Sequence, residues 1–231
     1  MESFLKRPLL FRNSELHCDL LQNAGEYFNL NMKAFSIHVL LVSVGLFFLP
    51  PVLQAQQSES SYTIARDGKQ IGWLKLQQTL SGDRTVLSVI SEVKTRVIIE
   101  FIIAVNDIAT FEHGRLVHSR LLRKTNNHIK LSKQTTLFGS KYQVTQEGET
   151  ALHDFPMIKA NLLSLYFFEP AGLAEIYSDL HEKFLGIKQG NDGGYEVRFP
   201  GGNSNLFYYS GGRRTRVKVR HSLYSVDVVL K

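Results

Sequence analysis

Short segments of alternating apolar and polar residues follow one another from residue 61 to the end of the chain. Alternation with a period of two is typical of a β-strand that buries one face, because successive side chains point to opposite sides of a sheet. Pairs of turn-forming residues such as Asp67-Gly68 and Glu147-Gly148 separate the segments. Glycine accepts the positive φ angle of a tight hairpin, so the pattern predicts strands that pair with their neighbours in sequence.

The clearest alternation lies in residues 89–105, where valine, isoleucine and phenylalanine occupy one face and Glu92 and Lys94 the other. We interpret this stretch as one strand that is bent or covered on both sides near its far end, since Ile98 and Ile102 interrupt the polar face. The chain is therefore expected to be mainly β. A long-stranded antiparallel meander would form a curved sheet or partly open barrel with one short helix.

The short helix is predicted within residues 156–170, where the alternation stops. The apolar residues there follow helical spacing: Ile158, Leu162, Leu163, Leu165 and Tyr166. Pro170 prevents continuation of the helix. We expect this helix to cover one end or one face of the sheet, with about eight strands before it and four or five after it.

A run without Asp, Glu, Lys or Arg occupies residues 34–53 and follows Lys33. A positive residue, an apolar stretch and a small residue, Ala55, stand in the order of a secretory signal. This predicts export to the periplasm or cell envelope, with transient membrane contact through the signal. In the alternative, twenty uncharged residues span the ~30 Å core of a bilayer as an uncleaved anchor. Pro50 and Pro51 favour the signal, because they shorten the continuous helix.

The expected organisation has four parts. Residues 1–31 precede the signal and are interpreted as an upstream extension from a mis-assigned start. Residues 32–55 form the signal peptide, residues 56–61 a flexible mature N-terminus, and residues 62–231 a single antiparallel β domain.

The composition is that of an ordinary globular protein: 231 residues, 43% hydrophobic and 21% charged, with a net charge of +6. It excludes a wholly disordered, collagen-like or multi-span membrane chain. The chain has 1 cysteine, Cys18, which lies in the part expected to be removed. The mature chain is therefore expected to contain neither a disulfide nor a thiolate metal site.

The sequence motifs give little support for catalysis or for metal binding. The histidines form no H-x-H or H-E-x-x-H pattern, and no P-loop or G-x-S-x-G is present. We expect no metal and no cofactor, and an enzyme is the less favoured class. The open alternative is a hydrolase or lyase in which Glu169, flanked by phenylalanines, is desolvated and acts with His153 or His181.

A basic row near the C-terminus consists of Arg214, Arg216, Lys218 and Arg220. Strand alternation would place these four side chains on one face, where they are candidates for binding an anionic partner such as lipid headgroups or envelope polysaccharide. The alternative is a solvated face that pairs with acids of the neighbouring strand. Nucleic acid is not expected as a partner of an exported protein.

Aromatic residues concentrate in the second half of the chain. Four of them are candidate ligand-binding residues: Tyr166, Phe168, Phe184 and Tyr208. A curved sheet lined by aromatic side chains can enclose an apolar ligand such as a lipid. A fully packed interior explains the same residues equally well.

Four segments carry a resemblance to a known family: residues 62–73 (YTIARDGKQIGW), 111–116 (FEHGRL), 165–170 (LYFFEP) and 195–203 (YEVRFPGGN). In their order and spacing the chain resembles an uncharacterised family of exported bacterial β-sheet proteins, a domain of unknown function, over nearly all of residues 60–230. The resemblance implies a fold and a compartment but no site. The family is also similar in outline to envelope proteins whose curved antiparallel sheet wraps a helix and shelters lipid, which is an analogy of fold alone.

Three functional hypotheses follow. The first is a non-enzymatic envelope protein that binds an apolar or amphipathic ligand, or a protein partner, in the concavity of its sheet. The second is the hydrolase or lyase based on Glu169 and a histidine. The third is an envelope scaffold or assembly factor that docks through an edge strand or through the basic row.

Overall fold

The computed structural model describes residues 55–96, 100–221 and 224–231. The predicted upstream extension, and the predicted signal or anchor up to residue 54, lie outside these residues. In the part of the chain that is described, no helix has the length and apolar character needed to cross a membrane.

The described residues form fourteen strands and one 3₁₀ helix. The strands before the helix are β1 (Gln56–Arg66), β2 (Lys69–Ser81), β3 (Arg84–Arg96), β4 (Glu100–Glu112), β5 (Arg115–Thr125), β6 (His128–Phe138), β7 (Lys141–Gln146) and β8 (Glu149–His153). The 3₁₀ helix spans Leu162–Tyr166. It is followed by β9 (Glu175–Ser178), β10 (Lys183–Gln189), β11 (Tyr195–Arg198), β12 (Ser204–Ser210), β13 (Arg213–His221) and β14 (Tyr224–Leu230).

All fourteen strands belong to one antiparallel sheet in the order β8-β7-β6-β5-β4-β3-β2-β1-β14-β13-β12-β11-β10-β9. Consecutive strands pair with each other, except β8 and β9, and β1 also pairs with β14, where Tyr62 lies opposite Leu230. The sheet is not closed, and β8 and β9 are its edges. The predicted mainly β fold, a long-stranded antiparallel meander with one short helix, is confirmed.

Three details of the prediction differ from the structure. Residues 89–105 belong to two strands, β3 and β4, which pair so that Arg96 lies opposite Glu100. Six strands follow the helix, instead of four or five. Residues 56–61 are not a free tail, because β1 pairs with β2 from Gln56 onward.

Residues 155–180 lie against the inner face of the sheet, which is the face that carries the buried side chains, and their last part includes the edge strand β9. We call this segment the plug. Its first part is extended: the Ile158 carbonyl accepts a hydrogen bond from the Leu116 amide at 2.8 Å, and the Ile158 amide donates to the Tyr142 hydroxyl at 3.1 Å. The helix begins only at Leu162, because the Asn161 and Ser164 side chains cap it reciprocally.

The core lies between the plug and the inner face of the sheet. From the plug, Ile158, Leu165 and Tyr177 are fully buried. They pack with inward-facing residues of nearly every strand, among them Leu87 of β3 and Phe207 of β12. The plug thus provides the second layer that an amphipathic sheet needs to bury its apolar face.

Candidate functional site

An apolar cavity of about 290 Å³ opens on the inner face of the sheet. Its described lining residues are Ile64, Arg66, Ile71, Val93, Thr95, Phe101, Ile103, Val219 and Val226. All of these except Arg66 and Thr95 are apolar. No described residue of the plug lines this cavity, and Ile71, Val93 and Phe101 of its lining are only half-buried.

Strand alternation explains why these residues meet. Val93 and Thr95 on β3, and Phe101 and Ile103 on β4, lie two positions apart on the same side of adjacent strands. Val93 lies directly opposite Ile103 in the β3–β4 register. A continuous apolar surface therefore forms from one short stretch of each strand that lines the cavity.

A β-bulge shapes one wall of the cavity. Ile64 pairs with Gly72 but Ala65 pairs with Gln70, so Ile71 is the extra residue in β2. A Cβ at Gly72 would lie 2.2 Å from the carbonyl oxygen of Glu92, which leaves no room for any side chain. Gly72 therefore allows β2 and β3 to approach closely beside the bulge that directs Ile71 to the cavity.

A charged groove of about 840 Å³ adjoins the apolar cavity. Arg66, Ile71 and Thr95 line both hollows. The groove also contains the Lys94–Glu100 ion pair, with 2.9 Å between Nζ and Oε1. The two hollows thus share three lining residues, while Glu92 and Lys94 of the groove alternate with inward-facing Val93 on β3.

A second cavity, of about 270 Å³, lies beside the 3₁₀ helix and is more polar. Asp107 and Arg123 line it and form a two-pronged ion pair, in which Arg123 Nη2 donates to Asp107 Oδ2 at 2.7 Å and Nη1 donates to Oδ1. Tyr166 and Asn161 line it from the plug. The two donors of the Arg123 guanidinium are already bound to Asp107, and the pair joins β4 to β5. The apolar cavity is therefore a better candidate for a ligand compartment than this second cavity.

Asp179 of the plug also lines the second cavity and is only 4% exposed. Its carboxylate accepts hydrogen bonds from the Ser119 hydroxyl and from Asn161 Nδ2, the latter at 2.9 Å. Burial raises the pKa of the Asp179 carboxyl to about 6, although the hydrogen bonds from Ser119 and Asn161 oppose the shift. Asp179 is thus a buried acid that fastens the plug to β5.

A buried lysine fastens the plug to β6. Lys133 Nζ donates to the Leu180 carbonyl at 3.0 Å and to Glu182 Oε1 at 2.5 Å. Glu182 Oε2 also lies 3.4 Å from Nε2 of His153, whose ring stacks on Phe155. The Lys133 ammonium thus meets two acceptors within the fold, and its contacts join β6 to the end of the plug.

The four aromatic ligand candidates do not form one site. Tyr166 lines the second cavity and packs edge-on against Phe207, whereas Phe168 is exposed. Phe184 packs on Tyr177 in the core. The Tyr208 hydroxyl donates to Asp192 at 2.9 Å, and its ring lies against Gly194. None of the four lines the apolar cavity.

The predicted basic row is split by a second β-bulge, so the expectation that all four side chains share one face is wrong. Tyr208 pairs with Arg216 but Tyr209 pairs with Arg214, which leaves Thr215 as the extra residue. This insertion turns Arg214 inward, where it is 3% exposed. Arg216 and Arg220 remain exposed and Lys218 is half-buried; Arg216 donates to Asp227 at 2.7 Å.

Buried Arg214 is held by aromatic rings. Its guanidinium carbon lies 3.8 Å from the ring centre of Tyr62 and 4.8 Å from that of Tyr166, and its Nε donates to the Tyr166 carbonyl at 3.2 Å. Among the described residues, its Nη1 and Nη2 have no hydrogen-bond acceptor within bonding geometry. Burial lowers the pKa of Arg214, and the two tyrosines oppose this shift. Arg214 therefore ties the end of the helix to the sheet and is not available to an anionic partner outside.

The residues of the enzyme hypothesis are dispersed. Glu169 accepts a hydrogen bond from the Tyr195 hydroxyl at 2.9 Å. His153 contacts Glu182 and Phe155, while the ring of His181 lies near Phe199. Within residues 55–96, 100–221 and 224–231, neither histidine is paired with Glu169, and no group of three His, Cys, Asp or Glu side chains could hold a metal ion.

Several residues of the two cavities were not predicted from the sequence. Asp107 carried a usable signal, because it alternates with Val105 and Ala109 and so had to face inward as a charge among apolar residues. Ser119 and Asp179 carried none, since their meeting depends on the path of the plug across the sheet.

Comparison with solved structures finds a similar fold. The crystal structure of a beta-barrel-like protein of domain of unknown function DUF1849 from Brucella abortus aligns with a TM-score of 0.51 and 9% sequence identity, over 78% of this chain and 96% of that chain. At this identity the likeness concerns the fold alone. No curated protein matches the chain.

The family is shown by the sequence itself. Residues 62–231, which include both cavities and the plug from end to end, match the family described as Domain of unknown function (DUF6134). The predicted resemblance to a β-sheet family of unknown function is confirmed, and the chain belongs to the DUF6134 family.

Proposed function

We propose that this protein is an exported envelope protein that binds an apolar or amphipathic ligand in the apolar cavity between β1–β4 and β13–β14. The observation that carries the proposal is the cavity itself, which has a volume of about 290 Å³, is lined mainly by apolar side chains and has no described residue of the plug in its lining. This volume is near the lower end of the range of small-molecule sites, roughly 300 to 1,000 Å³.

Burial of apolar surface provides the driving force for such binding. Ile71, Val93, Phe101 and Ile103 are only half-buried, although the same strands bury Leu87 and Ala109 completely. An apolar ligand that covered them would gain about 25 cal/mol for each Å² removed from water. Half-exposed isoleucine and phenylalanine side chains on an inner face are better explained by a ligand compartment than by a core.

A pair of neighbouring substitutions tests the proposal. Ile103→Trp places an indole in the cavity, whereas Ile102→Trp enlarges a side chain on the outer face that is already 39% exposed. With N-phenyl-1-naphthylamine as fluorescent apolar probe, we expect the Ile103→Trp protein to bind at least tenfold more weakly and the Ile102→Trp protein within twofold of the parent. Equal binding by both variants, or no probe binding by the parent, would contradict the proposal.

Export is supported by residues 34–53 and by the position of β1, which begins at Gln56, directly after the proposed cleavage point. Amino-terminal sequencing of the protein from a fractionated envelope is expected to start at or near Gln56. Recovery of a chain that begins at Met1 in the cytoplasm would rule export out.

Docking through an edge strand is the second candidate function. The β8 edge is open, and its Leu152 is 57% exposed. An open edge offers unpaired backbone groups to a strand of a partner protein. Leu152→Pro would remove one of these donors, because Leu152 lies in a non-hydrogen-bonded pair with Gln143 and its amide faces away from β7. Loss of an envelope cross-link at β8 in this variant, with the probe binding intact, would favour docking.

A further inference from the structure

We propose that the second cavity is a separate binding site for a small neutral molecule that carries several hydroxyl groups, such as a single sugar ring. This cavity, of about 270 Å³ beside the 3₁₀ helix, shares no described lining residue with the apolar cavity. The apolar cavity remains the better compartment for an apolar ligand. The second cavity combines apolar walls with polar groups from the sheet and from the plug, which is the usual composition of a site that fixes the orientation of a small polar ligand.

Ser91 is the residue that points to a ligand. It pairs with Leu74 on β2 and with Val105 on β4, and all three residues line the cavity, so the Ser91 side chain is on the inner face of the sheet. Ser91 is only 7% exposed. Within the part of the chain that the structure describes, its hydroxyl has no hydrogen-bond partner. A buried hydroxyl without a partner is unfavourable, and a ligand in the cavity would provide the missing bond.

A second polar group without a partner faces the cavity from β12. Asn205 lines the cavity, and its side-chain amide makes no hydrogen bond among the described residues. An amide provides two N–H donors and one acceptor oxygen. In the sheet, β2, β1, β14 and β13 separate the strand of Ser91 from that of Asn205. A molecule between these two residues would therefore be bound from two sides.

Asp179 supplies further acceptors for hydroxyl groups. It lines the cavity and is 4% exposed. One of its oxygens accepts a hydrogen bond from Ser119 and the other accepts one from Asn161. Because a carboxylate has about four acceptor sites, roughly half of them are left for a ligand.

The charges in the cavity favour a neutral ligand over an anion. Arg123 is the one basic residue among the described lining residues, and its guanidinium is bound to both carboxylate oxygens of Asp107. An anion would therefore meet the Asp179 carboxylate without a free cation to balance it. The two unpartnered groups, on Ser91 and Asn205, are neutral and both donate and accept, as the hydroxyl groups of a sugar do.

The size of the cavity limits the ligand to one ring. A volume of about 270 Å³ is the share of about nine water molecules at roughly 30 Å³ each, which is too small for a chain of linked sugars. Leu180 also lines the cavity and is 46% exposed. The cavity therefore reaches the surface at the end of the plug, where a small molecule can enter.

Saturation-transfer difference NMR tests the proposal, because it detects weak binding of small molecules. The neutral probes are glucose, galactose, mannose, N-acetylglucosamine and inositol, and the charged probes are glucosamine and glucuronate. Ser91→Ala removes the unpartnered hydroxyl, and Ser91→Leu also fills part of the cavity. Ser88→Ala and Ser88→Leu make the same changes on the opposite face of β3, at a residue that is absent from the cavity lining.

We expect at least one neutral probe to bind the parent protein more tightly than either charged probe. Ser91→Ala should raise its Kd about five- to tenfold, as loss of one hydrogen bond implies, and Ser91→Leu should abolish binding. Both Ser88 variants should stay within about twofold of the parent. Binding of N-phenyl-1-naphthylamine should be the same in all of these proteins, because neither serine lines the apolar cavity.

Three results would overturn the proposal. The first is that no neutral probe binds the parent, in which case water alone satisfies Ser91. The second is that the Ser91 variants bind the neutral probe as the parent does; if Ser91→Leu does not fold, Ser91→Ala decides. The third is tighter binding of a charged probe, which would indicate a cation site at Asp179 for glucosamine or a free guanidinium at Arg123 for glucuronate. None of these results bears on ligand binding in the apolar cavity, which the naphthylamine probe measures separately.

Discussion

Asp179 is a residue whose protonation couples directly to folding. Its pKa is raised by burial from 3.8 to about 6, so the folded protein holds a proton that the unfolded chain has already released between these pH values. The stabilising effect of that proton is complete below pH 4 and is lost as the pH rises through about 6. The shift corresponds to roughly 3 kcal/mol.

We therefore expect Asp179→Asn to flatten this part of the pH profile. The amide keeps a donor and an acceptor for Ser119 and Asn161 but carries no charge at any pH. Denaturant unfolding at pH 4 and pH 7 should show a stability gain of the variant over the parent that is larger at pH 7 by about 3 kcal/mol. A constant difference between the two proteins across this range would show that Asp179 remains ionised in the fold.

Arg214 and Arg216 differ in environment although they are two positions apart in the same strand. Arg214→Ala removes the stacking on Tyr62 and Tyr166 and the bond to the Tyr166 carbonyl, so a loss of about 3 kcal/mol in unfolding free energy is expected. Arg216→Ala removes an exposed pair with Asp227 and should cost less than about 1 kcal/mol. Equal effects in thermal or denaturant unfolding would argue against the inward turn of Arg214.

The limits of sequence reasoning are visible at these same residues. Alternation correctly gives the outward positions of Arg216, Lys218 and Arg220, but one extra residue, Thr215, reverses Arg214. The extra residue of a β-bulge cannot be recognised from the alternation of apolar and polar residues. The aromatic candidates remain a prediction, and the structure places them in different surroundings because aromatic composition does not distinguish a packed core from a cavity.

At the level of elements, the cavity depends on close pairing of β2 and β3 at Gly72. Gly72→Ala would force its Cβ to within 2.2 Å of a backbone oxygen, so the strands must separate. We expect a loss of about 2 kcal/mol or more in stability and weaker binding of the apolar probe.

Gly186→Ala in β10 provides the matched control. No atom lies within 4 Å of a Cβ built there, and its φ is not positive in the left-handed range. This substitution should be neutral or stabilise by about 0.5 kcal/mol, because alanine restricts the unfolded chain. If both variants unfolded at the same denaturant concentration, the tight β2–β3 contact would not exist.

The elements themselves were largely predictable. The turn between β1 and β2, Asp67-Gly68, has positive φ at both residues, as the hairpin signal requires. Between β3 and β4 no glycine, asparagine or proline marks the reversal, and the apolar face that continues through residues 89–105 therefore suggested one strand. The helix was expected at the right place but is only five residues long, because Asn161 caps it late.

At the scale of the whole molecule, local pairing explains most of the architecture. A chain whose strands pair in order needs only hairpin signals to specify a meander, and these are present in the sequence. The pairing of β1 with β14 and the path of the plug are long-range features, which depend on packing that no local pattern encodes. The cavity lies where six strands meet beyond the reach of the plug, so it could be located only with the fold in hand.

Native mass spectrometry of the protein purified from its own source tests the central claim most directly. The parent and Ile102→Trp proteins are expected to carry an additional mass of a few hundred daltons, consistent with one apolar or amphipathic small molecule in a cavity of about 290 Å³. Ile103→Trp, which fills that cavity, should lose the additional mass while it keeps its folded charge-state distribution. A parent protein that carries no small molecule, or an Ile103→Trp protein that retains it in full, would contradict ligand binding in the apolar cavity.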